Sequence, residues 1–160
     1  MRIAGALFAL GLAACATPYQ SQGFTGGVGA TQIDANTIRI TARGNAFTGA
    51  AQIANYAMLK AAEETEARGY DLFLIVQSDD RSRRGAFTTG GSASSQIDTF
   101  GSSATVTTTY DPPSITPYVK PGEDLIIKIF KGMKPNDAPP NLYNAHEVIM
   151  FLGPQVRGNR

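Results

Sequence analysis

The residue types that could perform nucleophilic or metal chemistry are scarce in this sequence. Cys15 is its only cysteine and His146 its only histidine, so an intrachain disulfide and a cysteine-based zinc site are excluded, and a transition metal would find few ligands. A Ser-His-Asp hydrolase would have to use His146, but the Gly/Ser stretch at residues 90–94 does not form a Gly-x-Ser-x-Gly elbow. We therefore predict no catalytic residue, no cofactor and no metal site, and we expect His146 on the surface of the last helix.

The acidic and glycine-rich motifs lead to the same prediction. Glu63 and Glu64 are adjacent, so on a helix they point about 100° apart and cannot form a catalytic pair on one face. The sequence contains no second acidic cluster that could complete a calcium site with Asp79-Asp80. The glycines at residues 26–29 and 90–91 are not followed by the Lys-Ser/Thr of a phosphate loop. We interpret these features as solvated surface and flexible linker.

The densest basic group consists of Arg81, Arg83 and Arg84. These side chains could bind the phosphates of lipid head groups or lipopolysaccharide, but the neighbouring Asp79-Asp80 pair weakens their field, and we predict a solvated loop. The chain has 14 basic and 13 acidic residues, and removal of residues 1–14 would take away only Arg2, which leaves a net charge of zero. Because a nucleic-acid-binding protein usually has a basic excess, no nucleic-acid partner is predicted.

The first 15 residues read MRIAGALFALGLAAC. Arg2 precedes an apolar run of 12 residues at positions 3–14, whereas a membrane-spanning helix needs about 20, so the run is typical of a secretory signal peptide. Its end, Leu12-Ala13-Ala14-Cys15, resembles the bacterial lipobox. The resemblance implies that the Cys15 thiolate receives a diacylglyceryl thioether, that a peptidase cleaves after residue 14, and that the new amine is acylated. A standard secretory cleavage site is the less favoured alternative.

The residues after Cys15 indicate which of the two bacterial membranes would hold the protein. Two or three acyl chains would anchor it stably, because each buried CH₂ contributes roughly 0.8 kcal/mol. In the lipoproteins that this sequence resembles, Asp after the lipidated cysteine favours the inner membrane, but here Ala16 and Thr17 follow. The resemblance therefore implies the periplasmic side of the outer membrane, with the inner membrane as the alternative.

The pattern along the mature chain predicts a tether followed by a strand–helix–strand unit. After Cys15, the glycine content up to residue 35 predicts a flexible tether that contains a short strand near residues 32–34. Alternation at residues 37–43 predicts a half-buried strand, and helix-forming residues at 49–68 predict a helix. Thr48 is a candidate N-cap of that helix and Gly69 its C′ residue. The apolar run at residues 72–76 predicts a central strand.

The second half of the chain contains weaker signals. The Ser/Gly-rich stretch at residues 81–103 predicts a long mobile loop, and residues 111–123, with four prolines, predict another loop. Strands are predicted at residues 104–110 and 125–130. Residues 141–152 predict a short helix that stops at Gly153-Pro154.

This order of elements predicts an α+β fold, namely a two-layer sandwich in which helices cover a small, largely antiparallel sheet. We expect one domain at residues 36–157. The runs at residues 72–76 and 125–130 are apolar at nearly every position, so we expect both faces of the central strands to be covered, either by the second helix or by something outside the domain.

Several segments of the chain form a pattern that recurs in a known family. They are Ile38-Arg39-Ile40, Gly44-Asn45-Ala46, Thr48, Asn55-Tyr56-Ala57-Met58-Leu59-Lys60-Ala61-Ala62-Glu63-Glu64-Thr65, Gly69-Tyr70-Asp71-Leu72-Phe73, Val148 and Leu152-Gly153-Pro154. With this pattern the chain resembles an uncharacterised family of small alphaproteobacterial lipoproteins. The resemblance covers residues 36–78 and, more loosely, both ends of the chain. It implies a lipid anchor and a strand–helix–strand core, and it supplies no catalytic residues because no activity is established for that family.

These observations favour a non-enzymatic envelope lipoprotein whose partners are the membrane, through Cys15, and another envelope protein. Residues 81–103 or the sheet would provide the contact surface. A lipid or glycan binder that uses a sheet–helix groove is the second hypothesis. A hydrolase that relies on carboxylates alone, as glycosidases do, is the third.

Overall fold

The computed structural model describes residues 15–100 and 103–158, in two compact units, so the predicted signal peptide at residues 1–14 lies outside the described residues. The second unit is Arg84–Val119, and the first contains the described residues on either side of it. The predicted single domain at residues 36–157 is thus divided. The elements are β1 (Gly27–Gln32), β2 (Thr37–Arg43), α1 (Ala50–Ala67), β3 (Leu72–Asp80), β4 (Arg83–Thr89), β5 (Ser92–Phe100), β6 (Ser103–Asp111), β7 (Ser114–Lys120), β8 (Gly122–Phe130), β9 (Leu142–Asn144) and α2 (Ala145–Arg157).

The first unit is built on a five-stranded antiparallel sheet with the strand order β1-β2-β8-β3-β9. Helix α1 packs on β2 and β8, and α2 packs against α1 and β9. The core between them contains fully buried side chains, which include Ile40, Leu59, Phe73 and Ile127. The predicted α+β class, with a long helix after the first strands and a short C-terminal helix, is confirmed.

The outer face of the central strands is mixed, which corrects in part the expectation that both faces are apolar. In β8, Leu125, Ile127 and Ile129 are buried against α1, whereas Ile126 is half-buried and Lys128 is exposed. Strand β3 is apolar on both faces at its start, because the adjacent Leu72 and Phe73 are both buried and point to opposite faces. Helix α2 lies beside α1 and does not cover the outer face.

Helix α1 ends as predicted but begins differently. Gly69 has φ +76°, and the amides of Gly69 and Tyr70 bind the carbonyls of Glu66 and Thr65 at 2.8 and 3.0 Å, which is the Schellman arrangement. At the other end the N-cap is Gly49, which provides no side-chain cap. The predicted capping role of Thr48 is therefore wrong, because its hydroxyl is engaged elsewhere in the fold.

Helix α2 continues through Gly153-Pro154, where the sequence predicted its end. Asn144 caps its start by accepting a hydrogen bond from the Glu147 amide at 3.1 Å. Proline within a helix removes one backbone hydrogen bond, but the final turn places Val156 in the core and brings Arg157 to Glu63. The burial of Val156 and the ion pair between Arg157 and Glu63 offset the free-energy cost of the missing backbone hydrogen bond.

The second unit consists of strands where loops were expected. The Ser/Gly-rich stretch predicted as a loop at residues 81–103 contains β4 and β5, and the proline-rich stretch at residues 111–123 contains β7. Strand β4 pairs with β7, and β5 pairs with β6 in antiparallel register. Serine and threonine are compatible with strands, and the paired glycines at 90 and 91 adopt the positive φ values of a turn. Composition alone misidentified these segments.

Candidate lipid-attachment site

Cys15 lies at the surface of the first unit, with its thiol exposed and free. Its backbone carbonyl accepts a hydrogen bond from Asn45 Nδ2 at 2.7 Å. Asn45 belongs to the turn between β2 and α1, where its side-chain Oδ1 also accepts bonds from the Phe47 amide and the Thr48 hydroxyl. The fold therefore holds the backbone of Cys15 while it leaves the thiol accessible for acylation.

Two residues further along, Thr17 is almost completely buried, with 1% of its surface exposed. Its hydroxyl donates to the Thr25 carbonyl and accepts from the Asn45 amide, both at 2.9 Å. Its own amide donates to Thr48 Oγ1 at 2.8 Å, and its carbonyl accepts from the Tyr56 hydroxyl at 3.0 Å. Every polar group of Thr17 is thus paired with the fold, and we call this set of contacts the Thr17 clamp.

The glycines that suggested a flexible tether have packing roles instead. Gly26 and Gly27 have φ values of +108° and +122°, and a Cβ atom on them would approach the carbonyl oxygens of Arg43 and Gln20 to 2.4 and 2.6 Å. Only glycine fits such positions. The following residues form β1, which pairs with β2 along its whole length. The predicted tether at residues 15–35 is therefore wrong for this segment, which belongs to the folded unit.

The Thr17 clamp limits the distance at which the domain could lie from a membrane that holds a lipid on Cys15. A flexible tether of about 20 residues would have an average reach near 25 Å, but Ala16 alone separates Cys15 from the buried Thr17. Two residues of extended chain span about 7 Å. Acyl chains on Cys15 would consequently hold this face of the first unit directly at the bilayer surface.

Tyr19 attaches the next part of the N-terminal segment to helix α1. Its hydroxyl donates to Glu63 Oε2 at 2.5 Å, its ring meets the Tyr56 ring edge-on at 5.4 Å between centroids, and Arg157 also binds Glu63. Burial and the hydrogen bond to the Glu63 carboxylate raise the pKa of Tyr19 well above its ordinary value of 10.0. The N-terminal segment is therefore held by a phenol that stays neutral.

We expect alkaline pH to weaken this attachment. Below pH 10 the Tyr19 phenol is neutral in both states, whereas above pH 10 it ionises in the unfolded chain only, so the free energy of unfolding falls. Tyr19→Phe should lower the free energy of unfolding by about 1 kcal/mol at neutral pH. The difference between the parent and the variant should shrink above pH 10, because only the parent loses stability there. Urea unfolding at several pH values measures this, with Tyr110→Phe, at a residue that is 66% exposed, as control. A difference in the free energy of unfolding that stays the same at every pH would contradict the raised pKa of Tyr19.

The other candidate residues lie apart from this site. His146 is exposed at the start of α2, as predicted, with Nδ1 3.2 Å from Glu66 Oε1. Glu64 binds Lys60 and Arg68, and Asp79 lies opposite Asp124 in the sheet. Arg81 contacts both of these aspartates, at 3.2 and 3.4 Å. This carboxylate pair is engaged by a guanidinium, which does not favour the hydrolase hypothesis. The exposed Lys128 and Arg39 on the outer sheet face weaken the argument for a sheet–helix groove.

The structure also assembles a recess that the sequence did not predict. It has a volume of about 440 Å³, and its lining includes Arg43, Arg81, Arg83 and Lys120 as well as Phe24 and Asn45. Asn45 thus lines this basic recess and also donates a hydrogen bond to the Cys15 carbonyl. The sequence revealed only Arg81 and Arg83, because Arg43 and Lys120 are remote in sequence and become neighbours when β2 and β8 pair.

Comparisons with known proteins provide no family for this chain: no family model, no curated protein and no solved structure matches it. The resemblance to small alphaproteobacterial lipoproteins stays a prediction. In the described ranges, no helix is long and apolar enough to cross a membrane. Residues 15–100 and 103–158 contain no group of three or more His, Cys, Asp or Glu side chains placed to hold a metal ion.

Proposed function

We propose that this protein is a lipid-anchored binding protein of the bacterial cell envelope, attached through Cys15 to the periplasmic side of the outer membrane, and that it acts by contact instead of by chemistry. The anchor is supported by the lipobox-like end of the apolar run and by the exposed thiol at the rim of the fold. A binding role is supported by the surface of the second unit.

The observation that carries the binding role is the amphipathic character of the β5–β6 pair. Ile97 lies opposite Val106, and Ala93 lies opposite Tyr110, and the Ser95–Thr108 pair, whose hydroxyls bind each other at 3.0 Å, lies between them. These side chains share one face, since side chains alternate along a strand. Ile97, Val106 and Tyr110 are 65%, 60% and 66% exposed. The opposite face is polar, with Gln96 opposite Thr107 and Asp98 opposite Thr105. We call the apolar side the ribbon face.

A two-stranded ribbon with an exposed apolar face is marginally stable by itself. In the described ranges, β5 and β6 pair only with each other, so each has an open edge that can accept a further strand. Residues 84–119 contain one cation, Arg84, and two carboxylates, Asp98 and Asp111. A nearly neutral apolar face with open edges suits the β-surface of another envelope protein better than an anionic lipid surface.

Site-specific photo-crosslinking in living cells tests this role. A photoreactive residue at Ile97 or Val106 should yield a discrete adduct, whereas the same residue at Gln96 or Thr107, one position away on the polar face, should yield little or none. The adduct mass distinguishes a second copy of this chain from a different protein. Equal crosslinking at 96 and 97, or adducts with the chain itself alone, would reject the proposed partner.

A further inference from the structure

Two exposed phenylalanines lie in two neighbouring loops at one end of the five-stranded sheet. Phe24 belongs to the turn that precedes β1, and Phe47 belongs to the turn between β2 and α1. Because Gly27 at the start of β1 pairs with Arg43 at the end of β2, the two turns leave the sheet side by side. Phe24 is fully exposed and Phe47 is 73% exposed, so each loop presents a large apolar ring to its surroundings.

The Thr17 clamp joins both loops to the candidate lipid-attachment point. In the first loop, the Thr25 carbonyl accepts a hydrogen bond from the Thr17 hydroxyl at 2.9 Å. In the second loop, the Asn45 amide donates to the same hydroxyl at 2.9 Å, and Asn45 Oδ1 accepts from the Phe47 amide at 3.0 Å. Asn45 Nδ2 also donates to the Cys15 carbonyl at 2.7 Å. A lipid on Cys15 would therefore bring both loops to the bilayer together.

Neither of the two loops carries a charged side chain. Residues 16–33 and 44–59 contain no Asp, Glu, Lys, Arg or His. Removing a charge from water is costly, so uncharged loops can enter the head-group region of a bilayer without that cost. A phenylalanine ring gains free energy when it leaves water, and the boundary between head groups and acyl chains accommodates aromatic side chains. The composition of the loops thus matches a bilayer interface.

We propose that Phe24 and Phe47 insert into the interface of the bilayer that holds the Cys15 lipid and fix the orientation of the first unit on it. Burial of the two rings drives the insertion, and no ionic contact is required. Only about 7 Å of extended chain separates Cys15 from the buried Thr17, which leaves no room for a partner protein between these loops and the membrane. The inference rests on the proposed anchor, and it adds a second attachment that the lipid does not supply.

A lipid joined chemically to Cys15 tests the insertion without acylation in the cell. Cys15 is exposed and is the only cysteine, so N-hexadecylmaleimide should modify the mature protein, residues 15–160, at this thiol alone. A single chain gives marginal and reversible membrane binding, which makes any further contribution measurable. Burial of a substantial part of one phenylalanine ring corresponds to roughly five-fold in affinity. Phe24→Ser/Phe47→Ser should therefore bind phosphatidylcholine vesicles about twenty- to thirty-fold more weakly than the parent.

The matched control is Ile33→Ser/Met133→Ser, which removes two exposed apolar side chains at the opposite end of the sheet. Ile33 is 50% exposed in the turn between β1 and β2, and Met133 is 90% exposed after the end of β8. This variant should bind within about two-fold of the parent, because neither side chain would reach the bilayer. Equal losses in the two double variants would overturn the inference, since binding would then follow the total exposed apolar surface.

The absence of tryptophan from this chain permits a direct measurement of orientation. Phe24→Trp and Phe47→Trp each introduce a unique fluorophore into the hexadecyl-modified protein. On phosphatidylcholine vesicles, the emission of each should shift to the blue and should be quenched by lipids that are brominated in the upper acyl chain. Met133→Trp should show neither change. Because salt screens ionic contacts but not apolar burial, the shifts at positions 24 and 47 should persist at high salt.

The outcomes separate this inference from the proposed anchor. Unchanged emission at positions 24 and 47 while the modified protein is bound would reject the insertion, and a lipid on Cys15 in the cell would be unaffected. Loss of the shifts at high salt would assign the contact to charged groups and would also reject it. If cells did not acylate Cys15, the anchor would fail, whereas the vesicle measurements would still decide whether the two rings insert.

Discussion

Cys15→Ala should abolish the incorporation of a fatty-acid analogue and move the protein from the membrane fraction to the soluble fraction. The chain has no second cysteine that could accept the diacylglyceryl group. One acyl chain gives marginal and reversible membrane binding, whereas two or three hold a protein stably. Because the variant would lack every acyl chain, nearly all of it should appear in the soluble fraction.

The structure separates this effect from a loss of folding. The Cys15 side chain is exposed, and its contact with Asn45 uses the backbone carbonyl, which alanine retains. The free energy of unfolding should therefore change by less than about 0.5 kcal/mol. Continued labelling of Cys15→Ala, or no labelling of the parent protein, would end the lipoprotein proposal and favour an ordinary secreted protein.

Thr17→Val should lower the free energy of unfolding by about 2 kcal/mol. Valine has nearly the same shape as threonine, but it leaves the Thr25 carbonyl and the Asn45 amide without the partners that the Thr17 hydroxyl provides. An unpaired group in a buried or part-buried position costs about 1–3 kcal/mol. Urea unfolding of acyl-free protein measures the loss, and hydrogen exchange should show that the Asn45 amide loses its protection.

The matched control for this substitution is Thr31→Val on β1. Thr31 is exposed and pairs with Arg39 of β2 through its backbone, so valine there should change stability by less than about 0.5 kcal/mol. If Thr17→Val and Thr31→Val had equal effects, the segment after Cys15 would not be held by the Thr17 clamp. The domain would then be separated from the membrane by a longer free chain, as the glycine content had suggested.

Local features of the sequence were enough to predict the elements that form the core of the first unit. The alternation at residues 37–43 matches β2, and the helix predicted at residues 49–68 is observed as α1 at Ala50–Ala67. Gly69 adopts the positive φ that its predicted role at C′ requires. Each of these signals arises from residues within a few positions of one another, where periodicity and capping act directly on the backbone. The signal peptide and the lipidation of Cys15 were predicted from equally local patterns and remain predictions.

Long-range contacts decided where local composition was ambiguous. Threonine is a common N-cap residue, but the Thr48 hydroxyl accepts a hydrogen bond from the Thr17 amide, which lies 31 positions away in sequence. This tertiary hydrogen bond takes the place of a bond to the start of α1. Glycines 26 and 27 indicated flexibility, but close backbone approaches to Arg43 and Gln20 require them. The Ser/Gly-rich stretch at residues 81–103 predicted a loop, but pairing with β6 makes residues 92–100 of it a strand. In each case the partner cannot be identified from neighbouring residues.

The sequence by itself thus determined the α+β class and the strand–helix–strand order, and it predicted one residue with a chemical role, Cys15. Only the tertiary structure showed that Thr17 is clamped, which replaces the expected tether by folded structure, so that acyl chains on Cys15 would hold a face of the first unit at the bilayer. The structure alone also gathered the basic recess, because the antiparallel pairing of β2, β8 and β3 brings the ends of three strands together. The physical reason is that hydrogen bonds and sheet pairing join residues by distance in space, whereas a sequence pattern records only distance along the chain.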